Sequence, residues 1–294
     1  MKRWHLAEII DQKWCPTAVR EGVQDYLKFL EQRLQIYRRC GDRLRRVLRQ
    51  VRPAAIIDLC SGGGGPWTYL WQELENKDCP QQIPIRLTDL YPNIQAFEQL
   101  AGDVKERIWY CDQPVDVTRV PENLRGFRTL FTAFHHFDRS TACRMLQDAA
   151  ASGDGIAIFE FNQRHILSLF GTAAIALMQP LAAPFIRPFR WSRLFWTYVI
   201  PAIPFACLFD GLVSCMRVYS PGELDGLIKE ADASGYRWER GVERIGLLPV
   251  GVTYLVGYPV NNSKAQHAEV EVVEHTEGPV YQILPESVYG STAS

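Results

Sequence analysis

The chain reads as an α/β protein, a doubly wound, mostly parallel seven-stranded sheet with N-terminal helices and a helical insertion after strand five. Three observations predict it. Short apolar runs at 54–58, 84–89, 107–111, 128–133 and 155–161 alternate with polar, helix-compatible stretches, the pattern of successive βαβ units. The first run ends in Asp58 and passes into Cys60-Ser61-Gly62-Gly63-Gly64-Gly65, a turn in which glycines let the main chain bend sharply and let a ligand approach it closely. Two later runs, 236–245 and 251–258, form a hairpin-like pair that completes the seven. With 294 residues, 47% hydrophobic and 22% charged, the chain can bury a core without disulfide or metal staples, which excludes a disordered, collagen-like or coiled-coil protein.

Ahead of the sheet, Val19, Val23, Tyr26, Leu27, Leu30, Leu34 and Tyr37 recur at helical spacing behind Pro16, so an amphipathic helix is expected over 17–37. An Arg-rich helix follows to about Val51 and is ended by Pro53. After the fifth strand and the insertion, 220–234 reads as a helix. The expected organisation is a helical cap at 1–53, the main domain at 54–260 with the insertion at 162–218, and an acidic, mobile tail at 261–294.

Charge is polarised along the chain. Residues 1–53 carry a net +7 and residues 261–294 a net −4, within an overall charge of −1. Arg38, Arg39, Arg43, Arg45, Arg46, Arg49 and Arg52 lack interleaved stacking aromatics, so they read as the solvated face of a helix rather than a nucleic-acid surface. The eight cysteines form no C-x-x-C pair and no metal-ligand spacing with histidine, and the first 14 residues contain no continuous apolar core. The expectation is a cytoplasmic protein with reduced thiols and no metal.

Three ligands compete for the glycine turn. A P-loop needs a terminal Gly-Lys-Ser/Thr, and no lysine is present. A nicotinamide fingerprint needs a third small residue, and in the Gly62-x-Gly64 register that place is taken by Trp67. S-adenosylmethionine (SAM) carries an ammonium and a sulfonium, so its site favours acids and aromatics over lysines. Asp58-x-Cys60-x-Gly62-x-Gly64 resembles motif I of the class I SAM-dependent methyltransferases, with Cys60 where glycine is commonest. The resemblance covers about residues 20–160 and implies a Rossmann-like fold with SAM as cofactor. It implies that Asp89, 25 residues after Gly64, binds the ribose hydroxyls. It further implies that Asp112 or Asp116 contacts the adenine, with Asp116 the better match.

The fourth strand runs into Phe134-His135-His136-Phe137, at the end of the sheet that faces the ligand crevice. A similar His-His pair occurs in relatives that methylate small molecules, which makes His135 and His136 candidate catalytic groups; a capping or supporting role for one of them remains open. Glu160 is expected at the same crevice. Motifs of the base-amine and cytosine-C5 methylating enzymes are absent, which points away from nucleic acid.

The insertion holds 21 uncharged residues at 166–186 and 16 more at 194–209, joined by Arg187-Pro188-Phe189-Arg190-Trp191-Ser192-Arg193. A spanning hairpin, an interfacial segment and a lid over an apolar substrate all fit such a composition, although Pro180, Pro184, Pro201 and Pro204 break both runs. The lid is the favoured reading, with peripheral membrane contact through Trp191, Phe195 and Trp196. Asp210, Arg217 and Tyr219 close the insertion as candidate acceptor-orienting groups, with pairing of Asp210 and Arg217 as a structural strut the equal alternative. The expected function is methyl transfer from SAM to a small, fairly apolar acceptor; the alternative is a SAM-binding, catalytically inactive, membrane-associated scaffold or regulatory protein.

Overall fold

A computed structural model describes residues 2–4, 6–74, 83–104, 107–245, 251–260, 268–275 and 278–285. Two helices, α1 (Thr17–Leu34) and α2 (Cys40–Val51), precede the sheet. The first five strands are β1 (Ile56–Asp58), β2 (Ile85–Leu87), β3 (Ile108–Tyr110), β4 (Phe127–Phe131) and β5 (Ile156–Glu160). Between them run α3 (Trp67–Leu74), α4 (Ile94–Asp103) and α5 (Arg139–Ala151). All seven strands read from the sequence are present, the last two as β6 (Tyr236–Arg244) and β7 (Gly251–Pro259), preceded by α10 (Pro221–Ala231). Ser220 caps α10, accepting from the Glu223 N–H while the Glu223 carboxylate accepts from the Ser220 N–H.

The strand order is β3-β2-β1-β4-β5-β7-β6, with β1 to β5 parallel and β7 antiparallel to both β5 and β6. Two further strands, β8 (Ala268–His275) and β9 (Gly278–Pro285), pair antiparallel with each other and extend the sheet from β6. The sheet is therefore mixed, with as many antiparallel as parallel ladders, and the expectation of a mostly parallel sheet is corrected. The reason is legible in hindsight: Glu269-Val270-Glu271-Val272 alternates with the period of a strand, inside a segment set aside as a mobile tail for its acidity. The rest of that tail, like Cys79, lies outside the described residues; the other seven cysteines are free thiols.

Helices cover both faces of the sheet. Leu146, Leu227, Ile228 and Trp238 anchor one buried cluster, and Leu44, Trp67, Phe97 and Phe159 anchor the other. Arg43 does not belong to a solvated face: it is buried, donates to Glu239 and Glu243, and stacks 3.8 Å from the Tyr254 ring centre.

A third cluster joins α1 to the insertion. The insertion folds as α6 (Ile166–Leu177), α7 (Gln179–Ala182), α8 (Trp191–Leu194) and α9 (Ala202–Arg217), with a wide helical turn (Phe195–Val199) after α8. The prolines fall at or near first turns, where a missing N–H costs nothing. Gly22 lets α1 approach α9 so closely that a Cβ there would lie 2.3 Å from Ile203 Cδ1. Arg193 is buried and donates to the carbonyls of Ala183, Ile186 and Pro188 and to Asp25 of α1.

The insertion has two unlike faces. Its inner face, with Thr172, Ile175, Cys207 and Ser214, lines a cavity. Its outer face leaves Phe170, Leu177, Leu181, Phe185, Trp191, Val199 and Phe205 each more than 60% exposed. The expected lid accounts for the first face only. Of the three aromatics expected at a membrane, Trp191 and Phe195 are exposed, whereas Trp196 packs into the third cluster. Among the described residues, the helical stretch Ile166–Phe185 is long and apolar enough to cross a bilayer, and Trp191–Val199 with Ala202–Arg217 forms a second such pair bent by 78°.

Candidate functional site

The glycine turn leaves the C-terminal edge of β1 under tight hydrogen-bond control. Asp58 is buried and accepts from Ser61 Oγ at 2.6 Å and Thr129 Oγ1 at 2.7 Å. Burial pushes its carboxyl up to about 6 against those bonds. It thus pins the turn from beneath rather than facing a ligand. Cys60, Gly62, Gly64 and Gly65 all have left-handed φ, from 51° to 101°. Gly62 pays nothing for that conformation, whereas Cys60 holds a side chain in it, at a cost of about 1 kcal/mol or more.

Asp89 lies at the end of β2 and accepts from the Gly62 N–H and the Tyr91 N–H, both at 2.9 Å. It is partly exposed, beside the turn, where the expected ribose contact would place it. Asp116 is exposed, and its Oδ1 accepts from the Thr118 N–H at 2.8 Å and Thr118 Oγ1 at 2.7 Å, which hold its carboxyl below the usual range. Asp112 is also exposed. None of these three acids lines the cavity described next.

That cavity, about 310 Å³, lies between the glycine turn, α1, the His135–His136 turn and the inner face of the insertion. Glu31 of α1 lines it opposite Ser61, Gly62 and Gly63, and sequence reading missed this residue. Its Oε1 is inaccessible to solvent and has no hydrogen-bond partner. Burial first, and then the neighbouring Asp58, push the Glu31 carboxyl up to about 8, against a hydrogen bond with Tyr69. A buried carboxylate without a cation, beside a backbone turn, is a site that a positively charged ligand would complete.

At the far end, the histidine turn (Phe134–His136) is fixed by Glu160. Its Oε1 accepts from the Phe134 N–H at 2.6 Å and the His135 N–H at 3.2 Å, and its Oε2 lies 2.7 Å from His135 Nδ1. His135 is buried; burial opposes its imidazolium, but Glu160 and Glu8 outweigh it and raise the pKa to about 9. His136 is 28% exposed at its side chain, lines the cavity, and places Nδ1 3.1 Å from Asp11. The Glu8 carboxylate sits 3.6 Å from His135 Nε2 and 3.7 Å from His136 Nε2. Burial would raise the Glu8 carboxyl, but His135, His136 and Arg217 hold it down to about 2. Glu8, His135 and His136 bring their ligand-type atoms within 4.8 Å of one another, yet Arg217 at 3.3 Å and the His135 imidazolium already supply positive charge to Glu8. The cluster is balanced as an ion network, within which the buried His135 Nε2 has no hydrogen-bond partner.

The groups expected to orient an acceptor have other partners. Asp210 accepts from the Ile9 and Ile10 N–H groups at 2.6 and 3.1 Å. Arg217 donates to the carbonyls of His135 and His136 and to Glu8. Tyr219 donates to the Phe137 carbonyl at 2.8 Å, with Arg3 over its ring. Together with Glu160 they clamp the histidine turn and the segment around Glu8. Sequence reading gave that segment no role; its signal was two acids, Glu8 and Asp11, within the first 14 residues.

If Asp89 holds the ribose of SAM as the sequence resemblance implies, Asp89→Ala should weaken that binding by tenfold or more. The residue is partly exposed, so each lost charge-assisted bond is taken at the low end, about 1.5 kcal/mol. Titration calorimetry showing unchanged affinity would remove Asp89 from the site.

No family model and no curated protein matches the chain. Solved structures match at low identity. The plantazolicin methyltransferase BpumL, solved with a monoazolic desmethylPZN analog and SAH, aligns with a TM-score of 0.53 at 10% identity, over 82% of this chain and 90% of that one. NcsB1, an O-methyltransferase from neocarzinostatin biosynthesis solved with SAH and 1,4-dihydroxy-2-naphthoic acid, gives 0.48 at 16% identity over 83% and 59%. A protein of Nostoc punctiforme PCC 73102, provisionally assigned as an O-methyltransferase, gives 0.45 at 14% identity over 83% and 61%. The chain spans less than two thirds of the last two. Its fold is that of the class I methyltransferases.

Proposed function

We propose that the chain transfers the methyl group of SAM to a small, apolar acceptor held between the glycine turn and the inner face of the insertion. The observation that carries this reading is Glu31: a buried carboxyl with an unpartnered oxygen, lining the same cavity as the glycine turn. The fold likeness to BpumL, which was solved with SAH, supports it.

When bound, SAM supplies a methyl group activated by its sulfonium. Gly62 and Gly63 present bare backbone to it, Asp89 takes the ribose hydroxyls, and Glu31 provides the counter-charge. Asp116 is the proposed adenine contact. The insertion excludes water from the acceptor and presents it with Ile175, Ala176 and Cys207. His136 takes the proton that the acceptor loses. His135 is unsuited to that task, because it already holds a proton between two carboxylates. Glu160, Arg217 and Tyr219 position the histidine turn, and Asp210 the segment that carries Glu8.

The test is incubation with methyl-labelled SAM and an apolar cell extract. Label should appear in an extractable small molecule. Tight SAM binding with no labelled product would instead favour the inactive, membrane-associated scaffold.

A further inference from the structure

We infer that the outer face of the insertion seats this protein on the surface of an anionic phospholipid bilayer, lying in the interface without crossing it. From residue 161 through residue 209 there is no Asp or Glu at all, while Arg164, Arg187, Arg190 and Arg193 fall within the stretch. Eight large apolar side chains there, Ile166 among them, stand more than 60% exposed, far more than the scattered single residues of an ordinary soluble surface. The composition matches what the headgroup region selects. Trp191 at 77% exposure and Tyr198 at 56% are amphipathic rings, Phe170, Phe185 and Phe205 are purely apolar, and Arg187 stands exposed beside them.

Charge complementarity selects the bilayer over other occupants. Where acids do approach this region they are occupied: Glu21 and Asp25 of α1 pair with Arg190 and Arg193, and Glu223 of α10 pairs with Arg164. An approaching anionic surface therefore meets the exposed Arg187 and the partly exposed Arg190, and no carboxylate of the segment itself. The packing selects interfacial seating over a span. One side of α9 lies against α1, whose sequence holds Arg20, Glu21, Asp25, Lys28, Glu31 and Arg33. Tyr26 of α1 also donates to the Ile175 carbonyl of α6. Helices fastened to so polar a neighbour can enter a bilayer only to the depth of their free face.

The inference is independent of the methyltransferase reading, and its test involves no turnover. The full chain is floated with vesicles of pure phosphatidylcholine and of mixed phosphatidylcholine and phosphatidylglycerol, alongside the variant Phe185→Asp/Trp191→Asp. Both substituted side chains are exposed, so circular dichroism and melting temperature should be unchanged. The parent protein should float with the mixed vesicles, and high salt should release only part of it, because salt screens arginine but not apolar insertion. The variant should bind at least tenfold more weakly. Three results would overturn the inference: no flotation by a monomeric parent; a dimer in solution abolished by the same variant, which would assign the face to a second copy of the chain; or extraction that requires detergent, with residues 166–209 protected from protease, which would mean a span.

Discussion

Glu31→Gln should abolish the pH dependence of SAM binding and weaken it about a hundredfold at pH 8. In the free protein the Glu31 carboxyl titrates near 8, because burial and Asp58 disfavour its charge. Binding a cation requires the ionised form. Below pH 8 the protein must therefore release a proton to bind, and affinity should climb by up to tenfold per pH unit from 6 to 8. Above that, the cofactor's own α-amine begins to lose its proton, at about 8, and the gain stops. The groups around Glu31 that bear on this are Asp58, Tyr69 and Tyr37; both tyrosines titrate well above the range used. Calorimetry in buffers of different ionisation enthalpy would count the proton directly. A glutamine variant that keeps the full slope would place the titrating group elsewhere.

His136→Ala should lower kcat by about a hundredfold or more, the usual size of a lost general base, while leaving SAM affinity intact. Its neighbour should behave differently. Removing the His135 imidazole leaves Glu160 and Glu8 buried and facing one another without their shared cation, so His135→Ala should cost about 3–5 kcal/mol of stability. The sign of the pH effect follows from the raised pKa. The stabilisation is complete below the unfolded value of about 6.5. It is lost as pH rises through about 9. If both variants lose activity and melting temperature in parallel, the division between base and strut fails.

What the sequence disclosed was local. The glycine turn announces itself because Gly62 and Gly64 occupy dihedrals that other residues resist, and the strands because their apolar runs are continuous and bounded. The missing parts of the site come from convergence. Glu8 meets His135 across 127 positions, and Glu31 meets Gly62 across 31; no period or spacing links them. Asp210, Arg217 and Tyr219 are legible as polar groups closing an apolar run, but their backbone partners are not, because a sequence does not show whether backbone already satisfies such a group. The exposed face of the insertion was hidden for a related reason: apolar residues read as core unless a structure shows that nothing lies against them.

The seat of β7 between β5 and β6 has a consequence for biosynthesis. Glu160 ends β5, and Gly251, the first residue of the strand that covers its free edge, emerges 91 positions later. At ordinary rates of translation, that leaves the β5 edge of the parallel sheet unpaired for roughly 5–20 s. During the same interval the ribosome delivers the entire apolar insertion. The nascent chain thus presents an adhesive strand and its stickiest helices together, before the residue that would close the sheet exists. Production of this protein should accordingly be limited by chaperone supply and by the speed of elongation through 161–250, so that synonymous codon changes there would alter soluble yield without altering a single contact in the finished fold.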